Sequence, residues 1–476
     1  MPWERGGEPP EAEGSESEAC RFVYSPQVKL DRSHLEARIA EERERFRAGH
    51  PRSEALFERA RENLLGGVPM HWMTRWAGDF PVFVEEASGA HFTDVDGHHY
   101  LDLCLGDTGA MTGHAPAPTV AAVAERARRG VTFMLPTEDA IDVGAELARR
   151  FGLPFWQMAL TATDANRFAI RLARHVTRRP RILVFNWCYH GSVDETFLTL
   201  KDGAVRARSG NLGPPVDPAV TTRVVEFNDP EGLEAALAPR DVACVLAEPV
   251  MTNVGIVHPA PGFHAALREL TRRTETLLVL DETHTLCAGP GGCTGADGLS
   301  PDILTVGKAI AGGIPAAVYG FTAEVAERIR ASIKVDEVDT GGIGGTLAGN
   351  ALSLAAMRAT LREVLTEEAY ARTIPLARRF EDGVRGVISE HGLPWHVTRL
   401  GCRAEYAFRA APPRNGSEAA AAMDADLDRY MHLAALNRGI LLTPFHNMAL
   451  ISPDTTEADV DAHTRVFQES VERLLG

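Results

Sequence analysis

Long apolar runs are missing from this 476-residue chain, and no stretch approaches the length that a membrane-spanning helix needs. The amino terminus has neither a basic start nor an apolar core, so we expect no secretory signal. The seven cysteines are few, odd in number and scattered, which predicts reduced thiols and a cytoplasmic protein. The net charge of −16 argues against nucleic acid as a partner, because phosphate binding depends on clustered cations.

Ligand sets for common cofactors are equally scarce. Neither a P-loop nor a G-x-G-x-x-G pattern marks a nucleotide site. Cys287 and Cys293 lie close to His284, but two cysteines and one histidine without a fourth ligand are a weak metal signal. We therefore predict no metal centre.

Composition divides the chain into four parts. Residues 1–50 form an N-terminal extension that is acidic and predicted to be disordered up to about residue 25, then helical. Residues 51–105 read as the first part of a small domain with an antiparallel element. In residues 106–355, short apolar runs alternate with amphipathic stretches, which predicts a large domain. Residues 356–476 are predicted to form the C-terminal α+β part of the small domain.

Short apolar runs give the large domain its fold class. "RILVF", "ACVLAEPV", "TLLVLDE", "DILTV" and "AAVYGFT" are strand-length, and amphipathic stretches separate several of them. Strands that are apolar on both faces and alternate with helices predict an α/β fold with a mostly parallel sheet. Ligands of such sheets bind beyond the carboxyl ends of the strands, where Asp281 and Lys308 stand in the sequence.

These two residues carry the chemical hypothesis. Asp281 either caps the helix that follows or faces a cationic partner such as a protonated pyridine nitrogen. Lys308 either opens a surface helix or is an amine kept in a pocket to form an imine with an aldehyde. The spacing between them allows one helix and one adjacent parallel strand, which would bring both to the same edge of the sheet.

A candidate phosphate site lies at Thr161, Ala162 and Thr163, which precede an amphipathic helix. Backbone N–H groups at a helix start bind anions, although an ordinary Thr/Asp N-cap explains the same residues. Tyr189 could stack on a flat ring or simply pack, and Thr346 on a glycine-rich turn is a second possible phosphate hydroxyl.

The order of the motifs is more specific than any one of them. "LLGGVP", "DVDGHHYLDL", "GHAPAPTVAAV", "YHG", "AEPV", "LDETHT", "PDILTVGKAIAGGIP" and "GGTLAGN" follow one another across residues 53–472. In this the sequence resembles the class III pyridoxal-phosphate-dependent aminotransferases of fold type I, most closely their glutamate-1-semialdehyde aminomutase-like branch. The resemblance implies pyridoxal 5′-phosphate (PLP) as cofactor, and a homodimer with shared active sites.

The same resemblance assigns roles to individual residues. It makes Lys308 the lysine that forms the Schiff base with PLP, and Asp281 the partner of the ring nitrogen. It implies further cofactor contacts at the phosphate loop, at the "YHG" and "EP" motifs, at a histidine that replaces the usual glutamine, and at a threonine from the other subunit: Thr161, Ala162, Thr163, Tyr189, His190, Glu248, His284 and Thr346.

The substrate side is less defined. Arg403 is a candidate for a substrate carboxylate or a solvent-facing arginine, and Trp72 and Phe445 could line an apolar pocket or belong to the core. We expect an aminotransferase that moves an amino group between an amine or amino acid and an oxo acid by a ping-pong mechanism. An ammonia-lyase and a 2,1-aminomutase are the alternatives. The mutase is disfavoured because "LLTPFHNMALIS" holds no acidic residue.

Overall fold

The computed structural model describes residues 30–209, 211–212, 217–332 and 342–476. The disorder that the sequence predicts before about residue 25 lies outside these residues. Among the helices described, none is long and apolar enough to cross a membrane.

Helices alternate with strands along most of the chain, and many begin at an Asp, Asn or Thr cap. The α-helices are α1 Arg32–Gly49, α2 Pro51–Ala60, α3 Ala117–Arg128, α4 Asp139–Phe151, α5 Ala162–Thr177, α6 Pro218–Thr221, α7 Pro230–Leu237, α8 Phe263–Arg273, α9 Gly292–Ala296, α10 Ala323–Ser332, α11 Ala351–Ala359, α12 Glu367–Glu390, α13 Gly416–Ala420, α14 Ala425–Leu436 and α15 Glu457–Leu475.

The strands are short, as the lengths of the apolar runs predict. They are β1 Val84–Ser88, β2 His91–Asp94, β3 His99–Asp102, β4 Phe155–Ala159, β5 Arg181–Phe185, β6 Leu198–Lys201, β7 Ala204–Ala207, β8 Thr222–Val225, β9 Val242–Ala247, β10 Leu277–Asp281, β11 Ile303–Val306, β12 Ala317–Phe321, β13 His396–Leu400, β14 Arg403–Ala407, β15 Ile440–Leu441 and β16 Met448–Leu450.

A seven-stranded sheet forms the centre of the molecule, in the order β4-β12-β11-β10-β9-β5-β8. Its neighbouring pairs are parallel except where β12 runs antiparallel to β11 and β4. Every residue of β9 and β10 is buried, because helices cover both faces of the sheet. The predicted α/β fold with a mostly parallel sheet is confirmed.

Two strands of this sheet do not follow from the apolar runs. β4 is half exposed and carries Gln157, and β8 has only four residues, so neither forms a continuous apolar run. Both lie at the edges of the sheet, where one side has no neighbouring strand. Edge strands need less apolar character, which is why the pattern missed them.

Smaller sheets come from the two ends of the chain. The antiparallel strands β1, β2 and β3 are joined by β15, which pairs parallel with β3 from more than 330 positions away in the sequence (Ile440 opposite Leu101). β13, β14 and β16 form a second sheet. The stretch "APPRNGSEAAAA", which reads as a loop, contains the one-turn helix α13, capped by Asn415. The domain boundaries given above stay a prediction.

Candidate active site

A cavity of about 280 Å³ opens at the carboxyl ends of β10 and β11. Asp281 and Lys308 both line it, together with Thr161, Ala162 and Thr163 at the start of α5. Parallel sheets bind ligands at this edge because the strand ends and the helix starts meet there. The structure therefore brings to one cavity the residues that the motifs single out.

The backbone of Lys308 is strained. β11 ends at Val306, and Lys308 opens a short 3₁₀ turn with a φ of 50°. A left-handed conformation costs a non-glycine residue on the order of 1 kcal/mol or more, so the surrounding structure must hold it. Lys308 Nζ lies 2.8 Å from Asp107 Oδ2 and 3.0 Å from His284 Nε2.

Asp281 forms the floor of the cavity and is almost fully buried. Its Oδ2 accepts hydrogen bonds from His190 Nδ1 at 2.9 Å and from Asn166 Nδ2 at 2.8 Å, and its Oδ1 accepts from the Thr283 N–H at 3.0 Å. Burial acts against the carboxylate form, but His190 and the other donors outweigh it and lower the pKa of Asp281. Asp281 is therefore a fixed anion at the base of the cavity.

Asp107 and His284 hold the Lys308 amine from two sides. Burial acts against the charge of Asp107, but the Lys308 ammonium outweighs it and holds the pKa of Asp107 well below its usual range. Burial and the Lys308 charge both lower the pKa of His284 far below its ordinary value. His284 is therefore neutral, and Thr108 Oγ1 lies 3.0 Å from its Nδ1.

The start of α5 offers an anion site. Thr161 is the N-cap, and its Oγ1 accepts from the Asp164 N–H at 3.2 Å. The N–H groups of Ala162 and Thr163 precede the first intrahelical bond and have no acceptor within the helix. Gly191 approaches this turn so closely that a Cβ on it would overlap the Thr163 side chain. Glycine is therefore needed here for the two loops to meet.

Aromatic rings form the outer wall. The Tyr189 ring lines the cavity and lies 5.6 Å from the ring of Trp72, and Trp72 contacts Phe445 with a centroid distance of 5.7 Å. Burial raises the pKa of Tyr189 to about 12. The Arg75 guanidinium stands 5.9 Å from the centre of the Phe445 ring. Phe445 itself lines a neighbouring pocket with Glu405 and His446, so of the two predicted apolar residues only Trp72 lines this cavity.

Several residues expected at the cofactor or substrate lie behind the cavity wall. His190 is fully buried beneath Asp281, and Glu248 is buried with one oxygen bonded to Thr252 and the other without a partner among the described residues. Burial raises the pKa of Glu248 to about 7. Direct contact of these two side chains with a ligand in the cavity is not supported by this arrangement.

Arg403 also differs from expectation. Its guanidinium is fully buried, donates to the Thr252 carbonyl at 3.0 Å and pairs with Glu405 at 3.2 Å. It reaches His284 at 3.4 Å and not the cavity itself, so a substrate carboxylate cannot contact it in this conformation. Thr346 is exposed, and it is not among the residues that line this chain's own cavity.

Sequence reasoning missed three contributors. Asn166 could have been found, because it is a polar residue on the buried face of the amphipathic helix α5. It bridges Asp281 and Thr305, accepting from Thr305 Oγ1 at 2.7 Å. Asp107 and Thr108 gave no signal, because their partners Lys308 and His284 lie far away in the sequence.

Comparison with known proteins agrees with this geometry. Residues 72–469 match the family described as Aminotransferase class-III. The chain belongs to the class III aminotransferase family. A relative from Sorangium cellulosum, glutamate-1-semialdehyde 2,1-aminomutase, is 36% identical over 434 residues, which cover 88% of this chain and 96% of the relative.

Solved structures of class III relatives share the fold. A structure described as a glutamate-1-semialdehyde-aminomutase from Pseudomonas aeruginosa PAO1 is 52% identical, has a TM-score of 0.92, and covers 94% of this chain and 100% of its own. A variant of that protein was solved in complex with PMP. An omega-transaminase from Sphaerobacter thermophilus is 29% identical with a TM-score of 0.81, covering 89% and 98% of the two chains.

Proposed function

We propose that this protein uses PLP to move an amino group from carbon 2 to carbon 1 of a small carboxylic-acid substrate. Bound PLP supplies an electron-withdrawing ring for the carbon that carries the amino group. The cavity fits this cofactor, because an amine, a buried anion and free helix N–H groups face the same space. This convergence of Lys308 and Asp281 is the observation that carries the proposal.

Each part of the cavity would have one task. Lys308 would bind the cofactor aldehyde and later move the proton of the reacting carbon. Asp281 would pair with the ring nitrogen, and the first turn of α5 with the phosphate. Tyr189 would cover the ring, and neutral His284 would face its oxygen substituent.

The choice of a mutase rests on the relatives. The Sorangium protein at 36% identity and the Pseudomonas structure at 52% identity are both described as glutamate-1-semialdehyde aminomutases, and both match over nearly their whole length. The segment "LLTPFHNMALIS" holds no acid of its own, which disfavours a mutase on sequence alone. In the fold, Glu405 from β14 contacts His446 of that segment, with 3.1 Å between Oε1 and Nδ1. An acidic residue therefore does stand at this segment.

Arg75 supports an acidic substrate. Its guanidinium lies beside Phe445, which contacts the cavity-lining Trp72, and none of the ion pairs among the described residues includes it. A guanidinium binds a carboxylate in a two-pronged geometry, so a substrate acid could be held there while its amino-bearing carbons reach Lys308.

Transfer between two substrates is the second candidate. It is the reaction that the name of the 29% identical omega-transaminase describes, and Lys308 and Asp281 of this chain would serve it equally. The two reactions differ in one requirement: a transaminase needs a separate amino acceptor, whereas a mutase returns the amino group to the molecule it came from.

One experiment separates these functions and the lyase. The PLP- or PMP-loaded protein is given glutamate 1-semialdehyde alone, and the products are resolved by mass spectrometry and chromatography. We expect the 1-amino isomer without any acceptor. Free ammonia would indicate the lyase, and product formed only with an added oxo acid would indicate the transaminase. Lys308→Ala should abolish product in every case, and turnover at the wild-type rate by this variant would refute the assignment.

We also propose a homodimer with shared sites. Large apolar side chains, among them Leu65, Met134 and Leu135, are more than two-thirds exposed in the single chain. Apolar exposure of this kind is typical of a surface that a partner covers. Sedimentation at micromolar concentration should give twice the mass of the chain, and a monomer would contradict this proposal.

A further inference from the structure

The loop that follows β3 has an unusual backbone. Leu105, Asp107 and Thr108 have φ angles of 45°, 49° and 80°, and Gly106 between them has 59°. Four left-handed residues in a row would not persist without support, because each non-glycine member costs on the order of 1 kcal/mol. Asp102 supplies part of the support by accepting from the N–H groups of Cys104 and Leu105 at 2.9 and 2.7 Å.

This backbone aims two consecutive side chains into the active site. Asp107 Oδ2 contacts Lys308 Nζ at 2.8 Å, and Thr108 Oγ1 contacts His284 Nδ1 at 3.0 Å. His284 Nε2 lies 3.0 Å from the same Lys308 amine. An ammonium ion only donates, so His284 Nε2 accepts from Lys308. Thr108 Oγ1 and the Arg403 guanidinium both lie at His284 Nδ1, at 3.0 and 3.4 Å. The loop therefore contacts the imidazole and the amine together.

The charges around Lys308 leave Asp107 as its counter-ion. From β10, Asp281 is already paired with His190, and behind His284 the Arg403 guanidinium is paired with Glu405. His446, which contacts Glu405, also lowers the pKa of Asp107 electrostatically. Among the described residues, Asp107 is the one carboxylate in an ion pair with the amine.

One oxygen of Asp107 is left over. Asp107 Oδ1 is buried and has no hydrogen-bond partner among the described residues. A buried carboxylate oxygen without a donor costs free energy, so a purely structural role would have placed a partner there. This arrangement therefore favours a functional role for Asp107 over a purely structural role in the loop.

We propose that Asp107 is a positioning residue that anchors the Lys308 amine beside the reacting carbon whenever the amine is not covalently engaged. The inference rests on the proposed function, since it assigns Lys308 a step in which the amine is released.

The test uses Asp107→Asn, which keeps the shape and removes the charge. Asp202→Asn is the matched control, because Asp202 has a similar φ of 53° but lies exposed on the turn between β6 and β7. In the cofactor-free protein at neutral pH, the rate of Lys308 acetylation by acetic anhydride is measured by peptide mass spectrometry. An amine freed from its carboxylate should react about tenfold faster in Asp107→Asn, and at the wild-type rate in Asp202→Asn.

Turnover supplies a second readout. On the substrate that the loaded enzyme accepts, Asp107→Asn should lower kcat at least tenfold and change KM less than threefold, because the released amine is misplaced and substrate binding is largely kept. Asp107→Glu retains the charge, so its acetylation should stay within threefold of wild type even if the Asn variant fails to fold.

Two results would overturn the inference. One is an acetylation rate of Lys308 in folded Asp107→Asn equal to that of Asp202→Asn. The other is rapid acetylation in Asp107→Glu, which would show that the carboxylate charge is not what restrains the amine. Because acetylation needs neither cofactor nor substrate, a failure of the proposed function leaves this test intact.

Discussion

Replacing Asp281 by Asn tests how the floor of the active site is held. In the wild-type protein, Asp281 and His190 form a buried pair with 2.9 Å between Oδ2 and Nδ1. Burial opposes the charge of His190, but Cys188 and Asp281 outweigh it and raise the pKa of His190 to about 10. Removing the carboxylate charge removes one of the two groups that hold this proton on His190.

The size of the destabilisation expected for Asp281→Asn follows from the pKa of His190. At pH 7, a proton bound with a pKa of about 10 is held by about 4 kcal/mol, since each unit is worth about 1.4 kcal/mol. In the unfolded chain, His190 has an ordinary pKa near 6.5 and is mostly neutral at pH 7. The linkage therefore stabilises the native state by nearly this amount. We expect Asp281→Asn to lower the free energy of unfolding by about 3–4 kcal/mol, as for other broken buried pairs.

The sign of the pH dependence gives a sharper check. A raised pKa stabilises the folded protein fully below pH 6.5, and this stabilisation is lost as the pH rises towards 10. Urea unfolding of the cofactor-free protein, followed by tryptophan fluorescence, should show wild-type stability falling between pH 6.5 and 9. The fall should be less steep in Asp281→Asn, by up to about 1.4 kcal/mol per pH unit, because Cys188 still favours the proton on His190. Equal slopes in the two proteins, or a loss below 1 kcal/mol at pH 7, would refute the reasoning.

Two further predictions concern stability. Burial against Phe380 lowers the pKa of His463 to about 3. The unfolded state therefore takes up the proton first, and the free energy of unfolding falls as the pH drops below 6.5. In urea titrations, His463→Leu should reduce that loss by about 2 kcal/mol between pH 7 and pH 5. Gly401→Ala should lower the free energy of unfolding by about 3 kcal/mol or more, because the new Cβ would overlap the Cys287 carbonyl. Gly392 has a similar φ but open space around it, so Gly392→Ala should lower the same free energy by only about 1 kcal/mol. Similar losses in both glycine variants would exclude the overlap.

Local pattern was sufficient for the five inner strands of the central sheet and for its chemistry-bearing edge, but not for the edge strands β4 and β8. The apolar run before Asp281 and the one before Lys308 each predict a buried strand, and the parallel topology requires their carboxyl ends to meet. A strand is specified by residues within a few positions of one another. For the same reason, the cap at Thr161 and the helix that follows it could be read directly.

The contacts around Asp281 and Lys308 were decided only by the tertiary structure. The sequence gives no reason for Asp107 to meet Lys308, for His190 to support Asp281 from below, or for Glu405 to contact His446, since each pair joins separate elements of the chain. Ion pairs of this kind form where packing excludes water and leaves a charge without solvent. Burial is a property of the assembled layers, so the protonation states that define this site belong to the tertiary structure.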